Sequence, residues 1–180
     1  MDLSKLPPGI ASQLTGMVED FILKSRKKYG ERALPLTSEQ RAAMERFFPA
    51  EVLEQTRLLL LRDERVQDPP FYGMARMMGI KNLPSFGDTV AVTFVDVIVS
   101  HQEFTDDLLF HELVHAVQYG QLGTREFASR YVNGFLTGGG YMGIPLEKNA
   151  YELEQRYSAN TAQAFSVADE VKRWIGAGAY

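Results

Sequence analysis

One stretch constrains this chain more than any other: Leu108-Leu109-Phe110-His111-Glu112-Leu113-Val114-His115-Ala116-Val117-Gln118. It sets His-Glu-x-x-His inside an apolar run that reads as helix. Positions four apart on a helix stack on one face, so His111 and His115 can share a metal ion. Glu112 follows the first histidine and reaches the open side of such a site, where a water needs a general base. Leu108, Leu109, Leu113, Val114 and Val117 bury much of the remaining surface, and ionisable groups among them are costly unless paired or metal-bound. The competing reading is a chance or decayed motif, but the chain has only His 3 in 180 residues from which to assemble it. A bound Zn2+ is therefore expected.

Composition narrows the ligand set. Cysteine is absent (Cys 0), so there is neither a disulfide framework nor a thiolate zinc site, and any metal must use histidine and carboxylate. At 180 residues and 45% hydrophobic the chain suits a single domain over 1–180, with a helical portion 1–56 packed on a metal-binding portion 57–180. Net charge is −4, and the one dense basic cluster, Lys24-Ser25-Arg26-Lys27-Lys28, reads as the solvated end of a helix. No nucleic-acid partner is expected. No apolar stretch approaches membrane-spanning length, and Met1–Pro8 lacks the pattern of a signal peptide. A cytoplasmic location is the expectation, with export by a route that leaves no N-terminal signal as the alternative.

In chain order, Ile10, Leu14, Met17, Val18, Phe21 and Ile22 recur at helical spacing between Pro7-Pro8-Gly9 and Tyr29-Gly30. This helix is expected to cover the core rather than enter the site. Thr37 or Ser38 caps a second helix carrying Met44, Phe47 and Phe48, and Pro49 precedes a short third. Arg57–Arg62 reads as a buried strand. Asp88–Ser100 is the clearest strand signal, polar only near Thr93 and Asp96, and is expected to form a hairpin turning at Val95-Asp96. Thr105 caps the motif helix, which ends near Gly120 or Gly123. Gly134 and Gly138–Gly143 mark a loop, and a helix starts at Pro145. Phe165, Ala168, Val171, Trp174 and Ile175 form a closing apolar stripe. The expected fold class is α+β, mostly helical, with a small antiparallel sheet or hairpin before the motif helix.

A catalytic zinc site needs a third protein ligand. A further histidine downstream is ruled out, because Gln118 and Gln121 stand where the longer motif has Gly and His. His101 precedes the helix and reads as a loop residue, with a ligand or substrate contact as alternatives. Of the downstream carboxylates, Glu147 lies early in a separate helix, shares a face with Ala150, Tyr151 and Glu154, and is the expected ligand. Glu154 and then Glu152 are the alternatives.

The strand residues Val90–Val99 followed by Leu108–Gln118 resemble bacterial zincin-like domains associated with contractile injection systems, an uncharacterised branch of the gluzincin-like metallopeptidases. The resemblance covers about residues 88–120, with weaker agreement at Phe47-Phe48-Pro49 and Pro69-Pro70-Phe71-Tyr72. In related gluzincins the third ligand opens a Glu-x-Glu-Ala-Asp-like segment, which Pro145–Tyr151 resembles, again implying Glu147. Asn149 and Tyr151 depart from that pattern and remove a possible carboxylate behind the ligands.

The resulting expectation is a zinc metallopeptidase, with Glu112 taking a proton from water and passing it to the leaving amine of a peptide or protein substrate. Tyr141, Tyr151 or Tyr157 would stabilise the oxyanion, and the strand before the motif helix would pair with an extended substrate. The alternative is a catalytically inert zinc-binding module acting in protein interaction within a larger system. The sequence carries no expectation of oligomeric state.

Overall fold

In the computed structural model, which describes residues 9–180, the first apolar repeat forms α1 (Ile10–Gly30). Gly9 caps it at φ 83. The Pro7-Pro8 part of the expected start, and the Met1–Pro8 reading, lie outside the described residues. β1 (Leu34–Pro35) follows, then α2 (Ser38–Met44). Thr37 accepts from the Gln40 backbone at 3.2 Å while the Gln40 side chain accepts from Thr37 N at 2.9 Å, a reciprocal cap. α2 stops before Phe47 and Phe48, which the sequence had assigned to the helix. Pro49 disfavours helical backbone in the residue before it, and both rings turn into the core from the connection to α3 (Ala50–Gln55).

The expected hairpin is β3 (Ala91–Phe94) and β4 (Val97–Ser100), with Phe94 opposite Val97 and Val95 at φ 65. β2 (Arg57–Leu60) lies on the other side of β4 but runs parallel to it, so the sheet is mixed rather than antiparallel, in the order β1-β2-β4-β3. The chain between them, with α4 (Tyr72–Met77), makes the crossover that a parallel pair requires. β1 shows that the 1–56 portion also supplies an edge strand.

The motif helix α5 (Asp106–Thr137) is the axis of the molecule. Leu109, Phe110, Leu113, Val114 and Val117 are buried against Phe47, Phe48, Leu58 and Ile98, and the Phe110 ring stacks on Tyr157 at 4.4 Å. The helix breaks at Gly123 (φ 75, ψ 159), a backbone state suited to glycine. Its second half continues to Thr137, so Gly134 is helical rather than part of the loop. A Cβ there would stand 2.6 Å from Pro145 Cδ, and this close approach seats the start of α6 (Pro145–Ala159) on α5. α7 (Val167–Gly176) closes the same core with Val167 and Val171. No helix among the described residues is long and apolar enough to cross a membrane.

Candidate metal centre

Thr105 caps α5 by accepting from Leu108 N, fixing the register that turns His111, Glu112 and His115 inward. Pro145 at the first position of α6 puts Glu147 in its first turn, facing the two histidines. The structure thus brings together the three residues expected as ligands. His111 Nε2 and His115 Nε2 are 3.2 Å apart, and Glu147 Oε2 lies 3.7 and 3.5 Å from them. Ligands of a tetrahedral ion bound at about 2.0–2.1 Å stand roughly 3.4 Å from each other. The triangle therefore fits one metal ion, and its corners are 5–7% exposed.

The hydrogen bonds behind the triangle make the fit chemical as well as geometric. His111 Nδ1 donates to Glu154 Oε2 at 2.8 Å, and His115 Nδ1 donates to Gln118 Oε1 at 2.9 Å. Gln118 Nε2 in turn donates to Leu146 O and Asn149 Oδ1, each at 3.1 Å, which fixes the amide with its oxygen toward His115. Each imidazole thus carries its proton on Nδ1 and aims a lone pair from Nε2 at the other ring and at a carboxylate oxygen. Three buried acceptors converge on one point, an arrangement that demands a cation, either a proton or a metal.

Electrostatics agree. Burial alone would lower the pKa of His111, but Glu147 and Glu154, with help from Glu112, raise it to about 10. His115 is raised against its burial as well, chiefly by Glu147. Burial pushes the Glu147 carboxyl up, yet His115 and His111 prevail and hold it well below the usual carboxylate range.

Glu112 is not part of the triangle. It is 5% exposed, its Oε2 accepts from Thr93 Oγ1 of β3 at 2.6 Å, and it lines the same cavity as His115 and Glu147. That cavity measures about 130 Å³. Leu14, Val18, Phe21 and Ile22 of α1 form part of its wall, so α1 borders the site instead of merely covering the core.

The remaining candidates fall in distinct places. Glu154, the alternative ligand, sits behind His111 as its hydrogen-bond acceptor. Glu152 is exposed. Tyr141 donates to Glu147 Oε2 at 2.6 Å, and the Tyr151 ring lies 4.6 Å from that of His111. Tyr157 is packed on Phe110 in the core, away from the triangle, which removes it as an oxyanion donor. His101 donates from Nδ1 to Thr89 O at 2.7 Å and accepts from Val66 N at 3.1 Å, pinning two loops together. Sequence reasoning missed the roles of Thr93, Gln118, Asn149 and Tyr180, whose hydroxyl donates to Asn149 Oδ1 at 2.6 Å. Thr93 alone left a signal, as a polar residue in an apolar strand.

Comparison of the chain with protein-family models, with curated proteins and with solved structures finds no match.

Proposed function

We propose that this protein is a zinc-dependent metallopeptidase that uses Glu112 as its general base. The observation that carries this reading is the convergence of His111 Nε2, His115 Nε2 and Glu147 Oε2 beside the separate carboxylate of Glu112. Two imidazoles and one carboxylate suit zinc, and a catalytic site keeps a position for water beside three protein ligands. Zinc held there would supply Lewis acidity, which lowers the pKa of water so that it can give up a proton and act as a nucleophile near neutral pH. A structural zinc would have no use for Glu112.

The residues divide the work. Thr93 holds one oxygen of Glu112, leaving the other to take the proton of the attacking water and deliver it to the leaving amine. Tyr141, already directed at the ligand oxygen of Glu147, is the donor best situated for the developing oxyanion. β3 is an edge strand, and all four of its residues line the cavity. Because His101 N donates to Val90 O, alternation along the hairpin turns the backbone groups of Ala91 and Thr93 away from β4. Among the described residues those groups have no backbone partner, and they are placed to pair with an extended peptide.

The test is metal content and chelator-sensitive cleavage of a peptide library by the full chain, beside Glu112→Gln. Both proteins are expected to retain zinc, while cleavage falls by about 100-fold or more in the variant. Equal cleavage by a zinc-loaded variant would overturn the mechanism. Zinc binding with no cleavage by the wild type would instead favour the inert binding module.

A further inference from the structure

The cavity beside Glu112, His115 and Glu147 has features that metal chemistry does not require. Its walls are largely apolar, from Leu14 and Phe21 of α1, Ala75 of α4, and Val132 and Leu136 of α5. Four tyrosines, Tyr72, Tyr119, Tyr131 and Tyr141, interrupt them. The hydroxyl of Tyr141 is engaged on Glu147. Those of Tyr72, Tyr119 and Tyr131 have no hydrogen-bond partner among the described residues, although Tyr72 is 6% and Tyr119 4% exposed. Among those residues the one fully enclosed side-chain polar atom without a partner is Asn149 Nδ2. All three side chains line the cavity. Burial raises the pKa of Tyr119 and Tyr131, with Glu147 adding to it, and both Tyr72 and Tyr119 act on Tyr131. The phenols of Tyr119 and Tyr131 stay protonated at ordinary pH, and the Phe127 ring stacks against both.

Size and charge restrict what belongs there. A dry cavity of about 150 Å³ accepts benzene, so about 130 Å³ is the size of one ring-bearing side chain. No lysine or arginine among the described residues lines it, and its carboxylates are those of Glu112 and Glu147, both already engaged. An acidic tip would meet those carboxylates without a counter-ion, and a basic tip would compete for the carboxylates that the metal and the general base require.

We propose that this cavity is a specificity pocket for a tyrosine side chain, an uncharged six-membered ring tipped by a hydroxyl that the hydroxyls of the pocket can pair. Tyr72, Tyr119 and Tyr131 read the tip, and the apolar walls hold the ring. A site with buried hydroxyls discriminates against an analogue that leaves them unpaired. The proposal rests on the metallopeptidase reading, and its test separates the two.

The probes are three hydroxamates, which chelate zinc through a common group and carry a methyl, a benzyl or a 4-hydroxybenzyl substituent. Their binding to the zinc-loaded full chain is measured by titration calorimetry. Benzyl is expected to bind at least tenfold tighter than methyl, and 4-hydroxybenzyl about tenfold tighter again. In the double variant Tyr119→Phe, Tyr131→Phe the second step collapses while the first persists, which also shows that the variant is folded. Equal binding of all three would overturn the pocket while leaving the metal reading intact. Benzyl equal to or tighter than 4-hydroxybenzyl in the wild type would overturn the reading of the tip. Failure of even the methyl compound to bind would overturn the metal site and the pocket with it.

Discussion

Glu154 and Glu147 stand two turns apart on one helix face, yet only one oxygen of the pair meets both histidines at Nε2. Their substitutions should separate accordingly. Glu147→Gln removes a charged ligand and is expected to abolish stoichiometric zinc binding. Glu154→Gln leaves all three ligands but weakens the acceptor that orients His111, and is expected to lower zinc affinity by about 10–100-fold. Competition against a chelator of known affinity measures both, and equal losses would show that the two carboxylates are not divided in this way. Protons compete for the same acceptors. His111 is raised from 6.5 to about 10 in the folded chain. A group raised on folding contributes stability that is whole below its unfolded value and lost as pH climbs through its folded value. Glu147 is lowered from 4.5, so its contribution is present above that value and disappears on acidification. Metal-free protein is therefore expected to lose thermal stability from about pH 6.5 toward about pH 10. Zinc affinity should rise over the same interval as protons leave. Melting curves in chelator at several pH values check this, and a flat or rising profile would contradict it.

At the scale of elements, the site depends on how closely α6 approaches α5. Gly134 sets that distance, because a Cβ there would meet Pro145 Cδ at 2.6 Å and Ile144 Cα at 3.3 Å. Gly134→Ala is expected to cost about 1–3 kcal/mol by overpacking. Because it displaces the turn that carries Glu147, it should also weaken zinc binding, whereas a purely local strain would lower stability alone. Denaturant unfolding and chelator competition on the same protein distinguish these outcomes. This coupling also marks how far the sequence could be read. The period of α5, the cap at Thr105, the hairpin at Val95-Asp96 and the proline start of α6 follow from local preferences, and each was legible. So was the choice of Glu147 as the carboxylate to meet the histidines. Partners were not legible. Periodicity reports that Thr93 and Gln118 face inward, but not that one meets Glu112 and the other His115. Nor does it tell that α1 borders a cavity, since an apolar helix face packed on a core and one lining a pocket have the same sequence pattern. The parallel β2–β4 pair likewise joins strands far apart in the chain, beyond the reach of turn chemistry.

For the whole molecule, the triangle is a tie between two helices that the chain joins only through the break at Gly123, the second half of α5 and the Tyr141–Gly143 turn. The same α5 packs on α1, the sheet and α7, so fixing α6 to it steadies the elements that carry the triangle and much of the cavity wall. A metal that binds the folded chain and not the unfolded one stabilises by mass action, about 2.7 kcal/mol when the free ion is at 100 times its Kd. For a chain of 180 residues this corresponds to a rise in Tm of roughly 5–10 °C. Scanning calorimetry of the full chain with zinc and with chelator is expected to show that rise, growing with zinc concentration. Glu112→Gln should retain it, because Glu112 lies outside the triangle, whereas Glu147→Gln should lose it. A zinc-dependent shift that survives Glu147→Gln would place the stabilising ion elsewhere and remove the physical basis of the catalytic site. A shift lost in Glu147→Gln but kept in Glu112→Gln would tie the stability of the fold to the same three side chains that the proposed chemistry requires.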